Sequence, residues 1–402
     1  MSVKKYDLLA GGQICPPASG RYYSLYSPVD STLIAEVADA TRVDVDRAVV
    51  AAHEAFYAEW KFCSVEHKRA LFAKLKEILY ATADELAAAK VQPQGGAGIP
   101  PLIERVIDYY VGKLDDPAGT LIEHGDQQTN YVYREPLGVV AIFVPFNGPM
   151  LGALLAAVPA LVAGNTIVVK APDQEAPQAL KTMQVFHEAG FPPGVVNALS
   201  GKGPEVGQAL VAHPATRLIS FTGSTATGKK IMAAAAEDLK RVQLNLGSKT
   251  AQVIFPDADL TAAVDATIGS AFPGQACSAI SRVLLHSSVR DKFVALLQEK
   301  AQAAGPSMLI DGAAIERVER YVEMGKTQGA LLFGGSRATE NEYAKGCYFE
   351  PTAFAFDDQS SPVCRDEIFG PVVSLLTFDS DEEALALAND TDYGLLVSLW
   401  TE

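Results

Sequence analysis

GVVAIFV at 138–144, TIVVK at 166–170, VVNAL at 195–199, RLISF at 217–221 and RVQLNL at 241–246 are five short runs rich in Val, Ile and Leu. Between them lie longer stretches with helical periodicity, at 150–162, 176–189, 204–212 and 226–239. Short apolar runs alternating with helices of this length predict a parallel sheet with right-handed crossovers. Ligands of such sheets bind beyond the carboxyl ends of the strands, so the residues just after each run are the first candidates for a site.

Two of those ends carry suggestive chemistry. Lys170 closes a run and is followed by Asp173, a cation and an acid able to hold ribose hydroxyls. An acid there would repel an added 2′-phosphate, which favours NAD over NADP. FTGSTATGK at 221–229 leads from a strand into a helix; Gly223 suits a tight turn and Ser224 a cap, and a helix N-terminus attracts phosphate. The spacing from Gly223 to Lys229 imitates part of a P-loop. Lys230, however, stands where the magnesium-binding Ser or Thr belongs, which argues against an ATPase.

Before this region, 41–56 and 67–86 read as amphipathic helices, 91–101 (VQPQGGAGIPP) as a breaker-rich loop and 102–114 as a helix. Residues 127–135 alternate like an exposed strand and suit a projecting arm. A second α/β series follows residue 245, with strands at 251–255, 281–286, 349–356 and 371–378 and helices at 260–272, 289–304 and 313–327. Within it, FPGQACSAISR at 272–282 sets Cys277 among small residues. A thiolate there is a strong nucleophile, and nearby backbone N–H groups suit an oxyanion.

The chain has 402 residues, long for one core, so two domains are expected. A formal charge of -15 argues against nucleic acid and anionic membranes as partners. Five cysteines, scattered and without a CxxC pair, suggest neither a disulfide framework nor zinc, and no HExxH spacing points to another metal. With no signal-like or membrane-length apolar run, a cytoplasmic location is expected.

Taken together, PLGVVAIFVPFNGP (136–149), TIVVKAPD (166–173), FTGSTATGK (221–229), LNLGSK (244–249), GQACSA (274–279), EIFGPV (367–372) and NDTDYGL (389–395) resemble, in order, the motifs of the aldehyde dehydrogenase superfamily. The resemblance implies an NAD(P)-binding Rossmann-type domain at 1–123 and 138–245. It further implies a partial oligomerisation arm at 124–137 and a catalytic domain at 246–402 that is incomplete at its C-terminus. It implies that Cys277 attacks an aldehyde to give a thiohemiacetal and, after hydride loss, a thioester. By the same carry-over Asn147 and the Cys277 N–H bind the oxyanion, Lys170 and Asp173 the adenine ribose, and Gly223 and Ser224 the pyrophosphate. Glu367 and Phe369 are expected on the nicotinamide side. A homodimer or homotetramer acting on a small aldehyde is the expected form.

Several positions depart from the pattern. Asn245 stands where the family has its general-base glutamate, Ser248 and Ile280 replace glycines, and the chain stops at Glu402 where relatives continue. Impaired deacylation is therefore expected, with two alternatives: a catalytically silent homologue in a structural or binding role, and a dehydrogenase that passes its acyl group to coenzyme A.

Overall fold

The computed structural model describes residues 3–92, 99–116 and 119–402. Residues 93–98 of the breaker-rich loop lie outside the described residues. The chain divides into two compact units, one of Met1–Tyr26 and Leu33–Leu246, the other of Ser27–Thr32 and Gly247–Glu402.

In the first unit, five strands form the parallel array expected from the apolar runs. Their order across the sheet is Arg241–Asn245, Thr216–Thr222, Val139–Phe143, Thr166–Lys170, Val196–Leu199. The central ones are buried along almost their whole length, because helices cover both faces. Register places Val139 beside Thr166 and Phe143 beside Lys170, so neighbouring strands end together. Leu8–Ala10 and Gln13–Cys15 extend the sheet antiparallel at one edge.

The helix Arg42–Ala58 buries the expected stripe of Val45, Val49, Ala52 and Phe56. Its capping box is complete: the Asp44 carboxylate accepts from the Thr41 N–H at 2.9 Å. The single helix expected over 67–86 is two, Val65–Ala81 and Ala83–Ala88. At the break, both the N–H and the hydroxyl of Thr82 donate to the Ile78 carbonyl, a side-chain bond that competes with helical continuation. Likewise the helix expected over 204–212 opens with a π-helical turn, Gly203–Gly207, before Gln208–Ala212.

Gly119–His124 and Gln128–Tyr133 form a two-stranded antiparallel hairpin with every described side chain exposed. It begins ahead of the 124–137 boundary read from the sequence, since Gly119 already pairs with Tyr133.

The second unit is built on a six-stranded sheet ordered Ala330–Phe333, Thr352–Ala355, Val372–Phe378, Ile280–His286, Thr250–Ile254, Val397–Trp400. Only Ala330–Phe333 runs antiparallel to its neighbour. Residues 27–32, assigned by sequence to the cofactor domain, belong here instead. Pro28 accepts from the Cys347 N–H at 2.8 Å, and the Ser31 hydroxyl donates to the Lys345 carbonyl at 2.7 Å. At the Val397–Trp400 edge, a concavity of about 770 Å³ is lined by exposed Leu385, Leu395, Leu396, Val397 and Leu399.

Among the described residues, no helix is long and apolar enough to cross a membrane, and no group of side chains is arranged to hold a metal ion. All five cysteines are free thiols.

Candidate active site

Within the first unit, four strand ends converge on one edge of the sheet. Asn245 ends Arg241–Asn245; Gly223 and Ser224 follow Thr216–Thr222; Asn147 follows Val139–Phe143; Lys170 ends Thr166–Lys170. These strands are adjacent and parallel, so register alone brings the four together at the carboxyl edge. Asn147 is half-buried, just ahead of the helix Pro149–Val162.

Lys170 forms an ion pair with Asp173, and the Asp173 carbonyl accepts from the Tyr23 hydroxyl at 3.1 Å. The ammonium is buried while the carboxylate stays partly open, which leaves a charged face for a polyhydroxylated ligand. Ser224 caps the helix Thr225–Ala236: its Oγ accepts from the Thr227 N–H at 3.3 Å. Gly223 sits at the bend between strand and helix, and close packing adds a second constraint there. Its N–H donates to the Asn245 carbonyl at 3.1 Å, and an added Cβ would meet the Phe221 ring at 2.6 Å. An ammonium, a carboxylate and a capped helix N-terminus form a donor set suited to a dinucleotide, and the carboxylate opposes a 2′-phosphate.

Just behind this edge sits Glu175, 2% exposed, whose carboxylate accepts from the backbone N–H groups of Val91 and Gln92. Burial pushes its carboxyl up to about 7. A raised acid binds its proton more tightly in the folded chain, so ionising it costs stability. The penalty is absent below the unfolded value near 4.5 and complete above about 7, and at 1.36 kcal/mol per unit amounts to about 3 kcal/mol. Glu175→Gln is expected to flatten the fall in melting temperature between pH 4.5 and 7; an unchanged pH dependence would reject this assignment.

Within the second unit, Cys277 lies in the loop between the helix Leu260–Ala271 and the strand Ile280–His286, half-buried. Gly274 makes the loop tight. Its φ is +70, and an added Cβ would meet the Gly370 and Pro371 backbone at under 3 Å. The Gln275 side chain pins the loop by accepting from the Ile310 N–H at 2.9 Å. Ile280 is buried in the core of this unit while also lining the cavity at Cys277, so its bulk serves packing as well as the site.

The segment 367–369 faces that loop. Glu367 accepts from the Ser248 N–H at 3.0 Å, and an added Cβ on Gly247 would run into its carboxylate. Phe369 has φ 56, a left-handed conformation that is strained for an aromatic residue. The strain is held by Arg317, which donates to the carbonyls of Ile368 at 2.8 Å and Phe369 at 3.3 Å. Lys249, 2% exposed, donates to the carbonyls of Val363 and Asp366 at 2.7 Å, and burial pulls its ammonium down to about 8.

Arg317 and Lys249 are absent from the site residues named by sequence. Lys249 stands in a quoted motif, and a lysine beside a strand buried over its whole length was the available signal. Arg317 offers only its place beside the buried stripe Ala314, Ile315, Val318 and Val322.

A parallel sheet with its polar residues beyond the strand ends, and a second sheet presenting a cysteine in one cavity with a carboxylate, define an α/β protein with a candidate nucleotide site and a candidate nucleophile. Comparison with known proteins takes this further: the sequence model of the aldehyde dehydrogenase family matches residues 15–402, and the chain belongs to that family. A hydroxyisobutyraldehyde dehydrogenase from Mycolicibacterium austroafricanum is 34% identical over 410 residues, spanning 98% of this chain and 81% of the relative. The indole-3-acetaldehyde dehydrogenase of P. syringae, solved with NAD+ and IAA, superposes with a TM-score of 0.92 at 33% identity. That match covers 100% of this chain and 85% of the other. A 3,6-anhydro-L-galactose dehydrogenase solved with NADP also gives 0.92, at 29% identity over 99% of this chain and 87% of its own.

Proposed function

We propose that this chain oxidises an aldehyde to a carboxylic acid with NAD as the preferred acceptor, through a thioester on Cys277, and that release of the acyl group is its slow step. The observation that carries the reading is Cys277 on a tight loop, half-buried and lining one cavity with Glu367. Small residues leave its backbone N–H open to an oxyanion, and the family motif gives Asn147 as the companion amide. Attack by the thiolate on the aldehyde carbon forms a C–S bond and an oxyanion; collapse of that oxyanion expels hydride and leaves the thioester. Bound NAD supplies the hydride acceptor. Lys170 and Asp173 are assigned to its ribose, Gly223 and Ser224 to its pyrophosphate, and Glu367 and Phe369 to the nicotinamide side.

Asn245 supports the slow final step, because an amide does not take a proton from water at neutral pH. A missing general base typically costs on the order of 10²–10⁴ in rate. Pre-steady-state absorbance with NAD and a panel of aldehydes is expected to show a burst of NADH, then slow turnover. No burst with any aldehyde, together with no NAD binding, would instead support a silent binding or structural subunit.

Asn245→Glu is expected to raise steady-state turnover on the order of tenfold or more while leaving the burst unchanged. No gain would count against the diagnosis. Acceleration by coenzyme A would transfer the assignment to acyl transfer, for which the amide at 245 is the favouring feature. The exposed hairpin Gly119–Tyr133 is proposed to serve a homodimer or homotetramer, to be read from solution mass.

A further inference from the structure

We propose that Glu367 is the proton acceptor for the water that releases the acyl group from Cys277, in place of the amide that Asn245 supplies. This rests on the thioester reading given above.

Cys277, Glu367 and Ser248 line one cavity of about 20 Å³, together with Ile280, Phe369 and Val372. That volume admits about one water molecule. The water would have the Glu367 carboxylate, Ser248 and Ser281 among its neighbours, so it would be held beside the sulfur that carries the acyl group.

Glu367 is built to stay in place there. The Ser248 N–H holds Oε1, and Gly247 permits the carboxylate to lie against the backbone. Arg317 fixes the following two carbonyls and Lys249 the preceding one. The charged and titratable groups acting on it are Lys249, Arg317 and Tyr393, with Asp366 adjacent in the chain. Burial outweighs the Ser248 bond and both cations, and lifts the Glu367 carboxyl above its usual range, which brings its basicity nearer to neutral pH.

In the step, the carboxylate takes a proton from water as the water oxygen bonds to the thioester carbon. The C–S bond then breaks, its electron pair leaves as the Cys277 thiolate, and the carboxylic acid departs. Glu367 returns its proton to solvent. No oxidant or metal is consumed.

The test uses p-nitrophenyl acetate, which acylates a reactive thiol without aldehyde or nicotinamide. The wild-type protein is expected to release a burst of p-nitrophenolate equal to its Cys277 content, then turn over slowly. Glu367→Gln should keep the burst, lose steady-state turnover roughly 100-fold or more, and retain the acetyl group on Cys277 in the intact mass. It should also lose the carboxyl limb of the pH–turnover profile. Glu367→Asp should restore part of the turnover, and Asn245→Glu in the Glu367→Gln background should restore more.

Turnover in Glu367→Gln equal to wild type would overturn the proposal, as would loss of the burst in a variant with native circular dichroism. Either result leaves an NADH burst from aldehyde intact in the wild type if the oxidation reading stands. Ester hydrolysis through Glu367 without any NADH formation would instead retire only the oxidation reading. A wild type whose Cys277 is never acylated would retire both.

Discussion

Cys277→Ala is expected to abolish NADH formation with every aldehyde, by at least about 10³-fold, while NAD binding and melting temperature stay near wild type. The magnitude follows from the kind of step lost. Without sulfur there is no C–S bond, no thiohemiacetal and so no covalent intermediate from which hydride departs; removing a nucleophile is among the costliest single changes in covalent catalysis. The stability expectation follows from the surroundings. Cys277 is half-buried in a loop held by Gly274, Gln275 and the Ile280 N–H, which donates to Ser270 Oγ at 3.1 Å; none of these bonds uses the sulfur. Stopped-flow absorbance with titration of NAD fluorescence checks both halves. Surviving NADH formation would place the nucleophile elsewhere.

The largest stability effect is expected at Arg282, 1% exposed in the middle of the second sheet. Its guanidinium donates to Lys249 O at 3.1 Å, Gln359 Oε1 at 2.6 Å, Leu387 O at 2.9 Å and Ala388 O at 3.0 Å. The last two carbonyls belong to the final turn of the helix Asp381–Asn389, beyond the reach of its own N–H groups; Leu387 O also accepts from Gln359 Nε2 at 3.0 Å. A cation there also meets the negative end of the helix dipole. Arg282→Met keeps the bulk and removes every guanidinium donor; Leu387 O keeps the Gln359 Nε2 donor, while Lys249 O, Gln359 Oε1 and Ala388 O lose theirs at about 1–3 kcal/mol each. The expected loss is about 4 kcal/mol, a fall of roughly 10 °C in melting temperature. A shift under about 2 °C would show that water or a neighbouring donor replaces the guanidinium.

The parts of the fold legible in the sequence are those where one periodicity dominates. Strands such as Val139–Phe143 and Thr166–Lys170 are buried along their length, so they read as unbroken apolar runs, and the order of runs and helices implies the parallel array. The same pattern puts Lys170 at the end of a run and Gly223 just after one; Asn147 and Asn245 are legible only through the family motifs. What escaped depends on contacts distant in sequence or on local competition. Thr82 ends a helix whose apolar pattern runs on past it. Arg317 grips a carbonyl 51 residues away, and nothing in its own neighbourhood records that partner. At Gly223 the sequence shows a turn before a helix, whereas the Phe221 ring that would meet an added Cβ at 2.6 Å becomes visible only once Phe221 is placed.

The loan of residues 27–32 to the second unit bears on the order of assembly during synthesis. Pro28 and Ser31 leave the ribosome early, yet their partners Cys347 and Lys345 follow more than 300 residues later. At about 5–20 residues per second, that wait lasts on the order of tens of seconds. Throughout it, the strands on either side, Tyr22–Tyr26 and Leu33–Ala38, can already be paired within the first unit. The nascent protein therefore carries a preformed loop whose backbone groups face water until the last third of the chain emerges. The docking of that loop, a closure with very large sequence separation, belongs among the final events of folding.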